Sequence, residues 1–286
     1  MKRHLLFLAA LLIVNLAASA QKKFSVYAVG FYNQENLFDT CHDEGKKDYE
    51  YLPNKGWNGM KYTNKLRNMS KALADMGTDV LPNVGCAFIG LSEVENHKVL
   101  DALVDQAPLK ARNMKYVHIE GPDRRGIDCA LLYNPSLFSV KNVKLLPYVQ
   151  ELAKDSAFFT RGFLTVRGEM AGDDVAVIVC HWPSRFSGPF YRESAARQVK
   201  VIKDSLLNVN QEMKIFVMGD MNDDPVNKSM HVYLQAKPEI SQVGAGDMYN
   251  PWYNVLAKEG KGSTRELRCV PQQADAGSMA TATTCL

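Results

Sequence analysis

Four apolar, strand-like runs end abruptly in polar side chains, and this repeated junction limits the folds open to the 286-residue chain more than any other feature. Residues 24–33 (F-S-V-Y-A-V-G-F-Y-N) are β-branched and aromatic and stop at Asn33-Gln34-Glu35-Asn36. Cys86 to Leu91 runs into Ser92-Glu93, Val175 to Cys180 into His181-Trp182-Pro183-Ser184-Arg185, and Ile215 to Met218 into Gly219-Asp220. Short apolar runs bounded by polar clusters read as strands feeding loops. Further strands are expected at Lys115 to Ile119, Ile127 to Tyr133, Ser139 to Leu146 and Gly162 to Glu169, with a turn at Ala171-Gly172-Asp173-Asp174.

Helices alternate with these strands. Leu66, Met69, Leu73 and Met76 recur at spacings of three and four, which predicts an amphipathic helix from Thr63 to Met76, ended by Gly77. Similar patterns predict helices at Lys98 to Gln106 and Phe190 to Leu207. Strands interspersed with one-faced helices imply a layered α/β fold, sheet inside and helices outside. No interior linker and no repeat divides the chain, so one domain is expected.

The first residues bear on compartment. Met1-Lys-Arg-His is basic, Leu5 to Leu16 is apolar apart from Asn15, and Ala18-Ser19-Ala20 supplies the small residues of a cleavage site. Residues 1–20 are therefore expected to be a signal peptide cleaved near Ala20, the product being periplasmic or extracellular. The apolar run is shorter than the roughly 20 residues that span a bilayer. Without this segment 32 basic residues face 31 acidic ones. That balance excludes a strongly cationic coat for polyanions, leaving only a local patch. Cys86, Cys129 and Cys180 lie in apolar runs and read as buried hydrophobes, while Cys41, Cys269 and Cys285 complete no zinc spacing.

The chemistry-bearing residues are those at the carboxyl ends of the strands: Asn33, Glu93, the His181 to Arg185 run, and Asp220 with Asn222. Ends of neighbouring strands meet in space on a rigid base. Glu93, Asp220 and the two amides are hard oxygen donors unaccompanied by thiolate, which suits Mg²⁺, or Mn²⁺, with waters retained. A phosphate is the natural companion of such an ion.

Together the segments F-Y-N-Q-E-N-L-F-D, I-G-L-S-E-V-E-N, R-G-I-D-C-A-L-L-Y, V-C-H-W-P-S-R and G-D-M-N-D-D-P resemble the endonuclease/exonuclease/phosphatase superfamily, over about Phe24 to Pro225. The resemblance implies a four-layer α/β sandwich, two packed mixed sheets flanked by helices, and Mg²⁺-dependent hydrolysis of phosphate esters by water. It assigns Glu93 and Asn33 to the metal and His181 to a hydrogen bond or proton for the phosphate and leaving oxygen. Asp220 aligns or deprotonates the water, and Asn222 binds phosphate oxygens. Arg125 and Asp128, in R-R-G-I-D-C, resemble a motif near the site and are assigned to phosphate or substrate, with Ser184 and Arg185 beside them.

The chain departs from the pattern after Asp220. Family members add strands and end in an aspartate strand and a Ser-Asp-His triplet, neither of which is found here. Residues 263–286 show no period of 2 or 3.6 and are expected to supply no core strand, so the domain is expected to span 21–262 and to lack its C-terminal strands. The abrupt change in composition favours a lost reading frame over a genuine tail, with weak activity as its consequence. Three functions follow: a phosphodiesterase acting on nucleic acid, an endonuclease-like hydrolase; a phosphatase or phosphodiesterase on lipid or sugar-phosphate headgroups; and a catalytically impaired phosphate-binding protein. No obligate protein partner is indicated, and a monomer is expected.

Overall fold

The computed structural model describes residues 25–149, 151, 160–259 and 281–285. The expected signal peptide at 1–20 and residues 263–280 lie outside them. Eleven strands among the described residues are β1 (Ala28–Leu37), β2 (Cys86–Val94), β3 (Lys115–His118), β4 (Asp128–Tyr133), β5 (Ser139–Leu146), β6 (Phe163–Met170), β7 (Asp173–His181), β8 (Lys214–Asp220), β9 (Ala236–Lys237), β10 (Met248–Tyr249) and β11 (Thr281–Cys285). The helices are α1 (Gly59–Asp75), α2 (His97–Val104), α3 (Ala107–Ala111), α4 (Pro189–Val209) and α5 (Trp252–Glu259). No helix of the described residues is long and apolar enough to cross a membrane.

Two sheets form, in the orders β1-β2-β4-β3 and β5-β6-β7-β8-β11-β10-β9. Both are mixed: β1 runs parallel to β2 and β7 to β8, whereas β2 with β4 and β6 with β7 are antiparallel. One core lies between the sheets, where Phe31, Phe88, Leu131, Leu164, Val177 and Met218 are buried together. A second packs the first sheet on α1, α2 and α3 through Leu66, Leu73, Leu100, Leu103 and Leu109. A third packs the second sheet on α4 through Ala195, Ala196 and Val199. Helices, sheet, sheet and helix stack as a four-layer sandwich, as the family resemblance implied. Fully buried aliphatic and aromatic side chains of this kind each contribute roughly 1.5–3 kcal/mol.

Local rules explain the boundaries. α1 starts earlier than its apolar period because the Asn58 side chain accepts a hydrogen bond from the Lys61 amide as its cap. It stops before Gly77, whose φ is +75° and where a Cβ would lie 2.6 Å from that of Ala28. β6 and β7 are joined at Ala171 and Gly172, with φ of 55° and 88°, the two positive values a tight two-residue hairpin turn requires.

Two expectations are corrected. β1 does not stop at Asn33 but continues to Leu37, with its register shifted between them. And the terminal segment does supply a strand: Thr283, Thr284 and Cys285 of β11 pair with Val217, Met218 and Gly219, and Thr281 and Ala282 pair with β10. A ladder is built from backbone groups, so a threonine-rich stretch joins it without the alternation that marks an amphipathic strand.

Candidate active site

The site is made where strand pairing breaks. On β2, Ser92 pairs with Cys129 and Val94 with Asp128, which leaves Glu93 unopposed as a bulge at φ +60°. On β1, Asn33 pairs with Ser92 and Leu37 with Val94, and between them Glu35 and Asn36 take φ of 49° and 61°. Left-handed backbone at non-glycine residues costs about 1–3 kcal/mol each and re-aims side chains beside active sites. In the other sheet β7 and β8 end in register, His181 opposite Asp220. Their close approach there needs Gly219, where a Cβ would lie 2.1 Å from the Cys180 carbonyl oxygen.

Side chains from these four strands converge. Asn33 Nδ2 donates to Asp220 Oδ2 at 3.0 Å, and the Asn222 amide donates to Asp220 Oδ1 at 2.9 Å. His181 Nε2 lies 3.7 Å from Glu93 Oε1 and 4.0 Å from Asp220 Oδ2. The imidazole is buried, and burial, with Arg161 and Arg125 nearby, holds its pKa well below the ordinary histidine value. It is therefore neutral near pH 7, and its approaches to the two carboxylates are dipolar, not ionic. Burial pushes the Asp220 carboxyl up, against the pull of its bonds from Asn222 and Asn33 and of the Arg161 charge. A carboxylate so placed is a stronger base than an exposed one.

Asn222, at φ +52°, gives its side-chain amide to the Trp182 carbonyl at 3.0 Å, tying the β8 loop to the chain leaving His181. Arg125 stands half exposed on the rim, its Nε 4.0 Å from Asp123. Ser184 and Arg185 flank the cleft on the loop after β7. Arg185 donates to the Asn222 carbonyl at 3.0 Å and to Asp224 at 2.9 Å, so it latches the two loops together. Among the described residues, Asp128 makes its hydrogen bonds outside this group. Its buried carboxylate accepts from the Gly121 amide at 2.9 Å and lies 3.1 Å from His118 Nε2, which fixes the base of the loop that carries Arg125. The other described histidines stand elsewhere: His42 with Asp48, His118 with Asp128, His231 on the Asn227 carbonyl and His97 at the start of α2.

Sequence reasoning missed two cations. Arg161, 9% exposed, donates to Asp123 at 3.1 Å and to the Trp182 carbonyl at 3.1 Å, and its charge reaches both His181 and Asp220. Its only signal was an isolated charge heading an apolar strand. Lys65 sits on the polar side of α1 yet is half-buried, donating to the Glu35 carbonyl at 2.8 Å within electrostatic reach of Glu93.

Among the described residues no group of three or more His, Cys, Asp or Glu side chains is arranged to hold a metal ion. The donor set at the cleft is instead two carboxylates, Glu93 and Asp220, with the Asn33 amide. That set fits a small, hard divalent cation, which keeps several waters and needs only one or two carboxylates. A cavity of about 480 Å³ elsewhere is lined by Lys200, Lys203, Asp204 and Asp247 and shares no residue with the cleft.

The profile of the Endonuclease/Exonuclease/phosphatase family matches residues 28–267. Comparison with curated proteins gives no match. Among solved structures, ANGEL2, a 2′,3′-cyclic phosphatase, superposes with a TM-score of 0.51 at 13% identity, covering 86% of this chain and 64% of its own. Sphingomyelinase C from Streptomyces griseocarneus gives 0.50 at 17% identity, covering 75% and 72%. A hairpin-deleted β toxin from Staphylococcus aureus gives 0.50 at 15% identity, covering 75% of each chain. At these identities the likeness is one of fold.

Proposed function

The chain belongs to the endonuclease/exonuclease/phosphatase family, and from that premise we propose that it hydrolyses phosphodiester bonds of nucleic acid, with Mg²⁺ as its ion and Mn²⁺ as a substitute. The family is one of phosphate-ester hydrolases dependent on a divalent cation. What supports the reading for this chain is the convergence of Asn33, Glu93, His181 and Asp220 from four strands.

Each residue then has a task. Asp220 is held on both oxygens, by Asn33 and by the Asn222 amide, so its carboxylate has a fixed direction from which to take a proton from the attacking water. Neutral His181 offers its Nε2 hydrogen to a phosphate oxygen from between the two carboxylates, with no counter-charge to be displaced. Arg125 on the rim complements the charge that develops on phosphorus oxygens. Glu93 and Asn33 would hold the cation, which polarises the phosphoryl group and neutralises its charge.

Fold does not choose the substrate, since neighbours include a 2′,3′-cyclic phosphatase and a sphingomyelinase C. The pattern of residues 1–20 supports action outside the cytoplasm.

The test is incubation of the purified chain with plasmid DNA, RNA, sphingomyelin and a chromogenic phosphodiester, with and without Mg²⁺. Cleavage of the nucleic acids is expected, abolished by chelation and lowered about 10²- to 10⁴-fold by His181→Ala or Asp220→Asn. Undiminished activity in Glu93→Gln and Asp220→Asn overturns the site, and cleavage confined to sphingomyelin overturns the substrate.

A further inference from the structure

The loop that follows His181 carries a side chain that the reaction as described does not use. Phe186 is 100% exposed, whereas the next most exposed large apolar residues, Met60 and Val209, are 69% and 68%. Complete exposure of a phenyl ring forgoes the roughly 1.5–3 kcal/mol its burial would contribute. Single exposed apolar residues are normal on protein surfaces. Phe186, however, stands on a loop that is held from several directions.

Ser184 to Gly188 closes as one turn of 3₁₀ helix, Ser187 N to the Ser184 carbonyl at 3.0 Å and Gly188 N to the Arg185 carbonyl at 3.2 Å. Arg192, buried on α4, donates to the carbonyls at both ends of that turn, Ser184 at 3.0 Å and Gly188 at 3.1 Å. Its own charge is met by buried Asp223 at 2.7 Å, on the loop that follows Asp220 and Asn222. From the other side Arg185 grips the Asn222 carbonyl and Asp224. The backbone of Phe186 is thus fixed relative to His181 on one side and Asn222 on the other, and its ring stands in solvent five residues beyond His181.

We infer that Phe186 is a stacking platform for an unpaired nucleobase next to the scissile phosphate, which makes it a specificity-determining residue of the nucleic-acid reading above, on which the inference rests. A single exposed planar ring, on a turn bonded to the loop that carries Asn222, suits another planar ring, because every base presents a π-face. Its neighbours argue against insertion into a lipid surface. Ser184, Arg185 and Ser187 flank it in the turn, and among the described residues between Val149 and Val201 it is the one large apolar side chain that is exposed, so it lacks the several exposed apolar residues with which a membrane interface is entered. An unpaired base also explains why one ring suffices, since duplex bases are stacked already and present no free face.

The experiment compares the full chain with Phe186→Ala and Phe186→Trp on two single-stranded oligonucleotides of one backbone, one carrying bases throughout and one abasic around the cleaved bond. Phe186→Ala is expected to lower kcat/KM on the base-bearing strand about 10- to 100-fold, the worth of one stacked base. Phe186→Trp should keep it, and on the abasic strand all three proteins should be equal. Equal loss on both strands, or no loss on the base-bearing one, overturns the inference while leaving the phosphodiesterase reading in place. Absence of cleavage of either strand by the unaltered chain overturns the nucleic-acid reading itself. Phe186-dependent binding to sphingomyelin vesicles, with oligonucleotide cleavage unchanged in Phe186→Ala, assigns the ring to a lipid surface instead and also overturns the inference.

Discussion

Asn33 Nδ2 donates to Asp220 Oδ2 at 3.0 Å across 187 residues of sequence, and this one bond joins the two sheets at the point where the chemistry is placed. Asn33 lies within β1 in the first sheet and Asp220 ends β8 in the second. The bond orients the carboxylate and, with Asn33 Oδ1 accepting from the Glu35 backbone amide at 2.8 Å, also fixes the β1 bulge. Asn33→Ala removes a hydrogen bond to a carboxylate, worth about 1.5–3 kcal/mol. We expect kcat to fall about 10- to 100-fold with the far-ultraviolet spectrum unchanged; steady-state kinetics at saturating Mg²⁺ checks it, and an unaltered kcat would refute the orienting role.

Two glycines separate rigid from yielding contacts. An added methyl at Gly219 meets the Cys180 carbonyl at 2.1 Å, backbone against backbone, whereas at Gly90 it meets the Met218 thioether at 2.8 Å, between the sheets. A methionine side chain can swing aside; a paired strand cannot. Gly219→Ala is expected to be the more destabilising by at least about 2 kcal/mol and to uncouple His181 from Asp220. Urea denaturation of both variants decides it, and equal midpoints would show that the β7–β8 approach is not rigid.

Asp123 and Arg161 form a buried ion pair, 7% and 9% exposed, at 3.1 Å. Removing one partner of such a pair costs about 3–5 kcal/mol because the other charge stays buried, whereas an apolar pair of similar volume is often neutral. Asp123→Ala should therefore lower stability strongly. Asp123→Leu with Arg161→Met should restore much of it without restoring activity, since the charge near His181 and Asp220 is gone. Recovery of both in the double variant would show that Arg161 serves packing alone.

Glu95 provides a pH signature. Buried at 3% exposure, it accepts the Asp39 amide at 2.7 Å, and burial, with Asp39, Asp43 and Asp48 near it, pushes its carboxyl from 4.5 up to about 8. The folded state binds this proton more tightly than the unfolded chain. The resulting stability is complete below about pH 4.5 and is lost as pH rises through about 8. Glu95→Gln keeps the acceptor without the charge, so in chelator its melting temperature should exceed that of the unaltered chain at pH 8.5 and converge with it at pH 4. A constant difference across that range would contradict the raised pKa.

How far the sequence reached depends on the kind of signal. β2, β4, β7 and β8 were legible because runs such as V-A-V-I-V-C carry apolar side chains on both faces, and α1 because Leu66, Leu73 and their neighbours repeat at the helical period. Asn33, Glu93, His181 and Asp220 were legible as polar residues set against those runs. β11 was not, since backbone pairing leaves no period in its side chains. Arg161 and Lys65 were not, because one charge heading a strand or lying on a helix's polar side looks solvated until a neighbour covers it. Asp128 looked like a site residue by its place in R-R-G-I-D-C, but its carboxylate is occupied by His118 and Gly121.

The sequence by itself determined the alternation of strand and helix, hence the layers, and the positions at which polar groups leave the strands. Those are consequences of local periodicity and the burial of apolar side chains. Tertiary structure alone decided which groups meet: the bulge that turns Glu93 toward His181, the bond from Asn33 to Asp220 between sheets, and the latch that holds Phe186 outward. Each depends on the register between strands or loops distant in sequence, and register is set by the packing of the whole sandwich.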